Sequence, residues 1–409
     1  MKLSALMAEA QENLGGLMDA IGDSRLVLMG EATHGTEEFY RLRAELSMRL
    51  MVEKGFQALA VEGDWPDVVP INQYLRGEID TPEAALSRFE RFPAWMWRNT
   101  AMLSFLRTLK GLAQPVGVYG LDLYSLHRSM RAVVDYLESV DPEAAREAQQ
   151  RYHCFEPYGG DPQAYGFVNA LSLEPACEDA VVAQLQALQQ ADFDSLPEDQ
   201  FVATQNARVV KNAERYYRTM FRYEVHSWNV RDQHMMETLE ALQAFLGAEA
   251  KIIVWAHNSH VGDARYTEMG ERGQWTLGQL ARERSKHNGV FLLGLTTYGG
   301  SVLAAPEWDT PPQVAALLPA MPGSFENLFH QLGKERFWLN FQPGSMARSM
   351  LEGPLLERAV GVVYHPQSER QSHYFQAQLS RQFDALVHLD TTQALTPLPV
   401  HPVLRPSSG

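Results

Sequence analysis

The 409-residue chain is poor in cysteine, holding only Cys154 and Cys177. Neither lies in a CxxC pair or beside a histidine at metal-ligand spacing, which predicts two structural rather than catalytic thiols in a reducing compartment. No stretch reaches the roughly 18 consecutive apolar residues that a membrane-spanning helix requires. The amino-terminal MKLSALMAEAQENLGGL has no basic region leading into an apolar run, because Glu9, Gln11 and Glu12 interrupt it, so no signal peptide is expected. Positive charge is also scarce: 35 Lys and Arg stand against 50 Asp and Glu, a net charge of -15. Such a field repels nucleic acid and anionic lipid surfaces. These deficits predict a soluble cytoplasmic protein with neither a nucleic-acid nor a membrane partner. No long heptad run specifies an assembly, and a monomer is the default.

Three catalytic signatures are missing as well. Without GxSxG there is no sign of the strained nucleophile elbow of serine hydrolases. Without GxxxxGK[ST], or a GxGxxG that follows a strand and opens a helix, nucleotide cofactors receive no support.

With 45% hydrophobic residues the chain can build a large core. The apolar runs RLVLMG, QALAVEG, VGVYGLD, KIIVWAH and VFLLGLT alternate with helical patterns, predicting an α/β fold with a mostly parallel central sheet flanked by helices. After the first strand, Phe39, Leu42, Leu46 and Leu50 recur at helical spacing, Glu37 and Glu38 suit the positive helix end, and Gly55 terminates it. Between Ser125 and Asn229 strands disappear; MRAVVDYLESV and VVAQLQALQQ read as helices broken by FEPYGGDP. The expected organisation is residues 1–124 as the first part of the core, 125–230 as a helical insertion lining the cleft, 231–395 as the second part of the core, and 396–409 as a Pro-rich tail. A helix beginning near Asp232 should lead into KIIVWAH, and GVVYHPQSERQSHYF and DALVHLD read as returning strands. The aromatic ERYYRTMFRYEVHSWN either walls a pocket or packs its own helices.

The positions of the polar residues carry the functional argument. RLVLMG leads to Glu31 and His34, QALAV to Glu62, VGVYG to Asp122, and KIIVWA to His257 and His260. A parallel sheet gathers the carboxyl ends of its strands on one edge, so these loops can share a crevice. In GEATHG a carboxylate three residues before an imidazole can orient it, making His34 a candidate general base for water, with Glu31 or Glu62 holding its tautomer. Taken alone, Glu31 and His34 could equally cap the following helix. The HxxH of WAHNSH suits a metal, a substrate carbonyl or a charged intermediate, or is a structural pair. Arg43 borders the apolar stripe of its helix and needs an anion, either Glu31, Glu62 or a substrate oxygen. Asp122 and Arg231 are candidate substrate-binding residues.

Taken together, GEATHGTEEFYRLRAEL, VEGDWPD, YGLDLYSL, SWNVRDQHM, VWAHNSHVG and YHPQSERQSHYF resemble the erythromycin esterase family over nearly the whole chain. The resemblance places the family's histidine on His34, its preceding glutamate on Glu31, its arginine on Arg43, its later histidines on His257 and His260, and its second acidic residue on Glu62. It implies a metal-free esterase, with macrolide lactones among the candidate substrates and the helical insertion selecting between them. The expected chemistry is hydrolysis of a small-molecule ester or lactone: His34 activates water, Glu31 and Glu62 position it, and His257, His260 and Arg43 orient the ester and stabilise the oxyanion. Two further readings are a divalent-metal hydrolase using the same two His and two Glu, and a non-catalytic binding or polysaccharide-biosynthesis accessory protein.

Overall fold

The computed structural model describes residues 3–171, 176–189, 197–222, 224–285 and 289–399. The five expected strands are present as β1 (Leu26–Met29), β2 (Ala58–Asp64), β3 (Gly117–Asp122), β4 (Ile252–Trp255) and β5 (Val290–Ala304). They are followed by β6 (Gln313–Leu317), β7 (Arg336–Asn340), β8 (Leu355–Arg358), β9 (Tyr374–Ala377) and β10 (Ala385–Thr392). The main sheet runs β3-β2-β4-β1-β5-β10-β7, with β6 paired to β5 and a separate hairpin formed by β8 and β9. From β3 through β10 each neighbouring pair is parallel, while β7 and β6 join antiparallel.

Every residue of β1 and β4 is buried, and the period of two divides their side chains between two cores. Val27, Met29, Ile253 and Trp255 face one core with the helices Glu37–Lys54 and Thr100–Lys110. Leu26, Leu28, Ile252 and Val254 face the other with Met235, Leu239 and Leu242 of the helix Glu224–Leu246 and with Leu277 and Leu280 of Leu277–Arg284. The connection leaving β1 passes over the first face toward β2, and the one leaving β4 passes over the second face toward β5. The chain therefore departs in opposite directions from two adjacent strands, the arrangement that opens a crevice at their carboxyl ends. The loops 30–36 and 256–263 meet there.

The helix after β1 follows its sequence: Gly55 closes it in the left-handed region at φ 71, its N–H returning to the Leu50 carbonyl. Gly30 and Gly35 are needed for a different reason, since a Cβ on either would collide with Asn258 or with the Leu303 backbone.

Between β3 and β4 the described residues contain no strand, and helices from Leu126–Val140 to Glu198–Met220 enclose a core of their own around Val133, Phe155, Tyr165 and Val210. Three expectations change here and beyond. The helix expected from near Asp232 begins at Glu224 and runs unbroken through residue 230, taking in Trp228 and Arg231. Cys154 and Cys177 are not separate thiols but a disulfide, with Cα atoms 5.9 Å apart; the two fold together although 23 residues apart, and cysteine usage no longer argues for a reducing compartment. GVVYHPQSERQSHYF contributes only its last residues to a strand, β9, because Pro366 and the polar run after it form a 3-10 turn and the short helix Glu369–Ser372.

DALVHLD is β10 as expected. After it, residues 394–398 cross the molecule in extended form, pairing at Thr36 with Ala394 and at Asn99 with Pro397. Of the Pro-rich tail, residues 400–409 lie outside the described residues. No helix among the described residues is long and apolar enough to cross a membrane.

Candidate active site

The crevice at the β1/β4 edge deepens into a cavity of about 290 Å³ lined by His34, Glu62, Asp122, Arg231, His257 and His260 on its polar side. Phe89, Pro93, Met96, Trp97, Trp308 and Val362 form an apolar side. Glu31 and Arg43 stand behind this wall rather than in it.

At the first loop, His34 Nδ1 lies 2.9 Å from Glu31 Oε1. The second oxygen of Glu31 accepts a hydrogen bond from Arg43 Nη2 at 2.6 Å. An arginine-paired carboxylate can only accept, so His34 donates from Nδ1 and its Nε2 lone pair is left free toward the cavity, 4.0 Å from Glu62 Oε1. Arg43 is fully buried on the stripe that also carries Phe39, Tyr40, Leu46 and Ser47. Its Nε and Nη1 have no hydrogen-bond acceptor among the described residues; instead the guanidinium lies over the rings of Tyr40 and Trp255, at 4.6 and 4.8 Å from their centroids. The expectation that Arg43 touches the ester is corrected accordingly: enclosed by these rings, it reaches the site only through Glu31 and is a positioning residue.

The second loop holds the other two imidazoles. The Ser259 N–H donates to His257 Nδ1 at 3.2 Å, with the Ser259 hydroxyl 2.8 Å from the same nitrogen. A backbone N–H can only donate, so the proton of neutral His257 resides on Nε2, a buried atom with no hydrogen-bond partner among the described residues. Burial, reinforced by His34, pushes the His257 imidazolium well below its usual pKa, with Glu62 opposing less strongly. His34 and His257 thus stand with ring centroids 4.8 Å apart in opposite tautomers, one presenting a lone pair and the other an N–H.

His260 is engaged at both nitrogens. Arg231 Nη1 donates to Nε2 at 2.9 Å, and Nδ1 donates to Asp232, 2.8 Å from Oδ2. The Trp228 ring stacks on it, 4.5 Å between centroids. Trp228, Arg231 and Asp232 occupy positions i, i+3 and i+4 of one helix and so share the face turned to the cavity. With both nitrogens occupied, His260 has no free donor for an oxyanion, which corrects the expected role; it buttresses Arg231 and Glu62.

Glu62 is the hub. Its Oε1 accepts from Arg231 Nη2 at 2.6 Å and its Oε2 from the His257 N–H at 2.7 Å. Burial raises its pKa, but the imidazoles of His260, His34 and His257 whenever they carry a second proton, and the permanently cationic Arg231, reverse this and hold the carboxyl well below the usual range. Asp122 grips Arg231 with both oxygens, at 3.0 and 2.7 Å from Nε and Nη2. Burial again opposes ionisation of Asp122, and Arg231 more than offsets it.

Among the described residues no three His, Cys, Asp or Glu side chains are arranged to hold a metal ion. The donor set explains why: Glu31 is taken by Arg43 and His34, and the Arg231 guanidinium occupies the position between Glu62, Asp122 and His260 where a cation would sit. The residues present do not fit a divalent metal.

All eight sequence candidates fall within or directly behind one cavity. Sequence reasoning missed Asp232 and Trp228, although both lie in the SWNVRDQHM segment, next to or one turn from Arg231. It also missed Asp64, which caps this end of the cavity with Arg91 bound to it at 3.1 Å, and Trp308, which sits in a loop without periodicity.

The sequence profile of the family described as erythromycin esterase matches residues 51–392. Glu31, His34 and Arg43 precede that span, while Glu62, Asp122, Arg231, His257 and His260 lie inside it. The chain is 22% identical over 354 residues to a putative hydrolase, YbfO, of Bacillus subtilis (strain 168), covering 81% of this chain and 77% of that protein. It is 22% identical over 320 residues to an erythromycin esterase type II of Escherichia coli, covering 72% and 74%. Among solved structures, a mutant of the erythromycin esterase EreC in its open conformation superposes with a TM-score of 0.70 at 19% identity, covering 97% of this chain and 98% of that one.

Proposed function

The chain belongs to the erythromycin esterase family, and from that premise we propose that it is a carboxylic ester hydrolase that opens an ester or lactone by direct attack of water. The observation that carries this reading is the pair of neighbouring imidazoles in opposite tautomers, because hydrolysis needs a base for water and a donor for the developing oxyanion at the same carbonyl. His34 Nε2 takes a proton from water as its oxygen bonds to the carbonyl carbon. His257 Nε2–H donates to the carbonyl oxygen as it becomes negative. The tetrahedral intermediate then collapses with loss of the alkoxide, which receives the proton held on His34, giving an acid and an alcohol.

Glu31 and Arg43 support this cycle by fixing the His34 ring and stabilising its imidazolium. Glu62 lies near enough to His34 Nε2 to hold the attacking water between them, and Arg231, Asp122, His260 and Asp232 keep Glu62 in place. The apolar side of the cavity receives the hydrocarbon part of the substrate, with macrolide lactones as one candidate class.

The test is a panel of esters and lactones, macrolides included, incubated with the wild-type chain and with His34→Ala and followed by mass spectrometry. The expected result is a product heavier by one water, formed about 10²–10⁴-fold more slowly by the variant and at an unchanged rate after chelator treatment. Equal turnover by His34→Ala removes the assignment of the base, and loss of activity on chelation removes the metal-free mechanism.

A further inference from the structure

Trp308 is an exposed indole in a built position. It is 54% exposed and occupies the apex of the turn Glu307–Thr310 that joins β5 to β6. That turn is closed by the Thr310 hydroxyl, which donates to the Glu307 carbonyl at 2.7 Å, and by the Thr310 N–H. Asp309, beside it, holds the left-handed conformation at φ 61, a strained setting that Asp tolerates better than most residues.

Next to Pro93 of the cavity lining stands Phe92, on the loop between the helices Pro82–Leu86 and Thr100–Lys110. The rings of Trp308 and Phe92 meet edge to face, 5.0 Å between centroids, and Trp308 also lines the cavity. The Phe92 side is fixed too: the Asn99 amide donates to the Trp95 and Met96 carbonyls at 3.2 and 2.9 Å, and Trp97 Nε1 donates to the Glu62 carbonyl at 3.2 Å. Two anchored loops therefore meet at the apolar side of the cavity through one aromatic contact. The cavity beside them, about 290 Å³, is at the small end of ligand pockets, which run from about 300 to 1,000 Å³.

We propose that Trp308 is the residue that sets substrate size at this site: resting on Phe92, it admits compact esters and lactones and excludes bulky ones until the contact is broken. This rests on the hydrolase reading for its kinetic arm and on cavity geometry alone for its binding arm. Trp308 takes no part in the proton transfers, so its effect is read as a ratio between a bulky and a compact substrate and not as the rate on either alone.

The experiment compares wild type, Trp308→Ala and Trp308→Phe with a short-chain p-nitrophenyl ester and a 14-membered macrolide lactone. Hydrolysis is followed by product formation, and binding of each compound to His34→Ala and to the double variants with Trp308 is followed by equilibrium dialysis. The expected result is that Trp308→Ala raises kcat/KM for the bulky lactone relative to the compact ester by about tenfold or more, the scale on which a pocket wall discriminates. The change in the ratio should lie mainly in KM for the bulky lactone, and Trp308→Phe should restore the wild-type ratio. The same shift in relative binding without hydrolysis of either compound leaves the size gate standing and overturns the hydrolase reading. An unchanged binding ratio overturns the gate, whatever happens to hydrolysis.

Discussion

Replacing Arg43 by Met keeps a long side chain against Tyr40 and Trp255 but removes the guanidinium bound to Glu31. Both groups are enclosed, with side-chain exposures of 0% for Arg43 and 1% for Glu31, so the carboxylate left behind has no water to replace its partner. Breaking one side of a buried pair costs about 3–5 kcal/mol, whereas replacing both sides with neutral groups of similar shape is often close to neutral. Arg43→Met and Glu31→Gln should therefore each destabilise the fold by about 3–5 kcal/mol. The double variant should lose much less than the sum, because Gln still offers an oxygen to His34 Nδ1 and no charge remains buried. Equilibrium denaturation of the four proteins gives the coupling energy directly. A single variant within about 1 kcal/mol of wild type, or a double variant equal to the sum of the two, would show that the pair is not insulated from water and would refute the argument.

The tautomer assigned to His257 predicts that Gln, whose amide also carries an N–H, retains more hydrolysis than Ala, which should lose about 10²–10³-fold as removal of an oxyanion donor does; equal losses in steady-state kinetics would remove that role. Asp67, on the cavity lining, has its pKa raised to about 7 by burial and by Asp64, with Arg128 only partly opposing. Its folded-state pKa lies above the unfolded value of about 3.9, so the native state binds the extra proton and stability falls as pH rises from about 4 to 7. Asp67→Asn should flatten that decline, gaining on wild type between pH 5 and about 8; parallel pH–stability curves would contradict it.

What the sequence made legible follows from which signals survive without coordinates. β1 to β5 could be read because strands buried on both faces are continuous apolar runs. β6, with most of its residues on the surface, and β7 and β8, whose apolar residues are bounded by Arg336 and Asn340 and by Glu357 and Arg358, carry no such contrast. The site residues were visible because a parallel sheet delivers successive strand ends to one edge, so Glu31, Glu62, Asp122 and His257 could be collected by position alone. Which nitrogen of each histidine carries the proton was not legible, since it depends on partners such as the Ser259 N–H, Asp232 and Arg231. Arg43 shows the same limit: its spacing placed it beside the apolar stripe, but only the rings of Tyr40 and Trp255 reveal that it faces Glu31 and not the substrate. Cys154 and Cys177 were misread because their pairing is set by how the helical insertion folds back on itself.

The extended segment that pairs with Thr36 and Asn99 has a consequence for the order in which the molecule is made. His34 and the Trp97 wall are synthesised within the first quarter of the chain, yet the backbone bonds that tie their loops together wait for residues 394–398, where the Thr100 N–H finds the Thr396 carbonyl at 3.0 Å and the Leu398 N–H finds Arg98. During translation the early half of the pocket exists without this fastening, its aromatic loop held by the local Asn99 and Trp97 bonds and the edge beside Thr36 open. Contacts this distant in sequence are slow to form, so the binding chamber should be among the last parts of the protein to mature, after the parallel sheet that supports it.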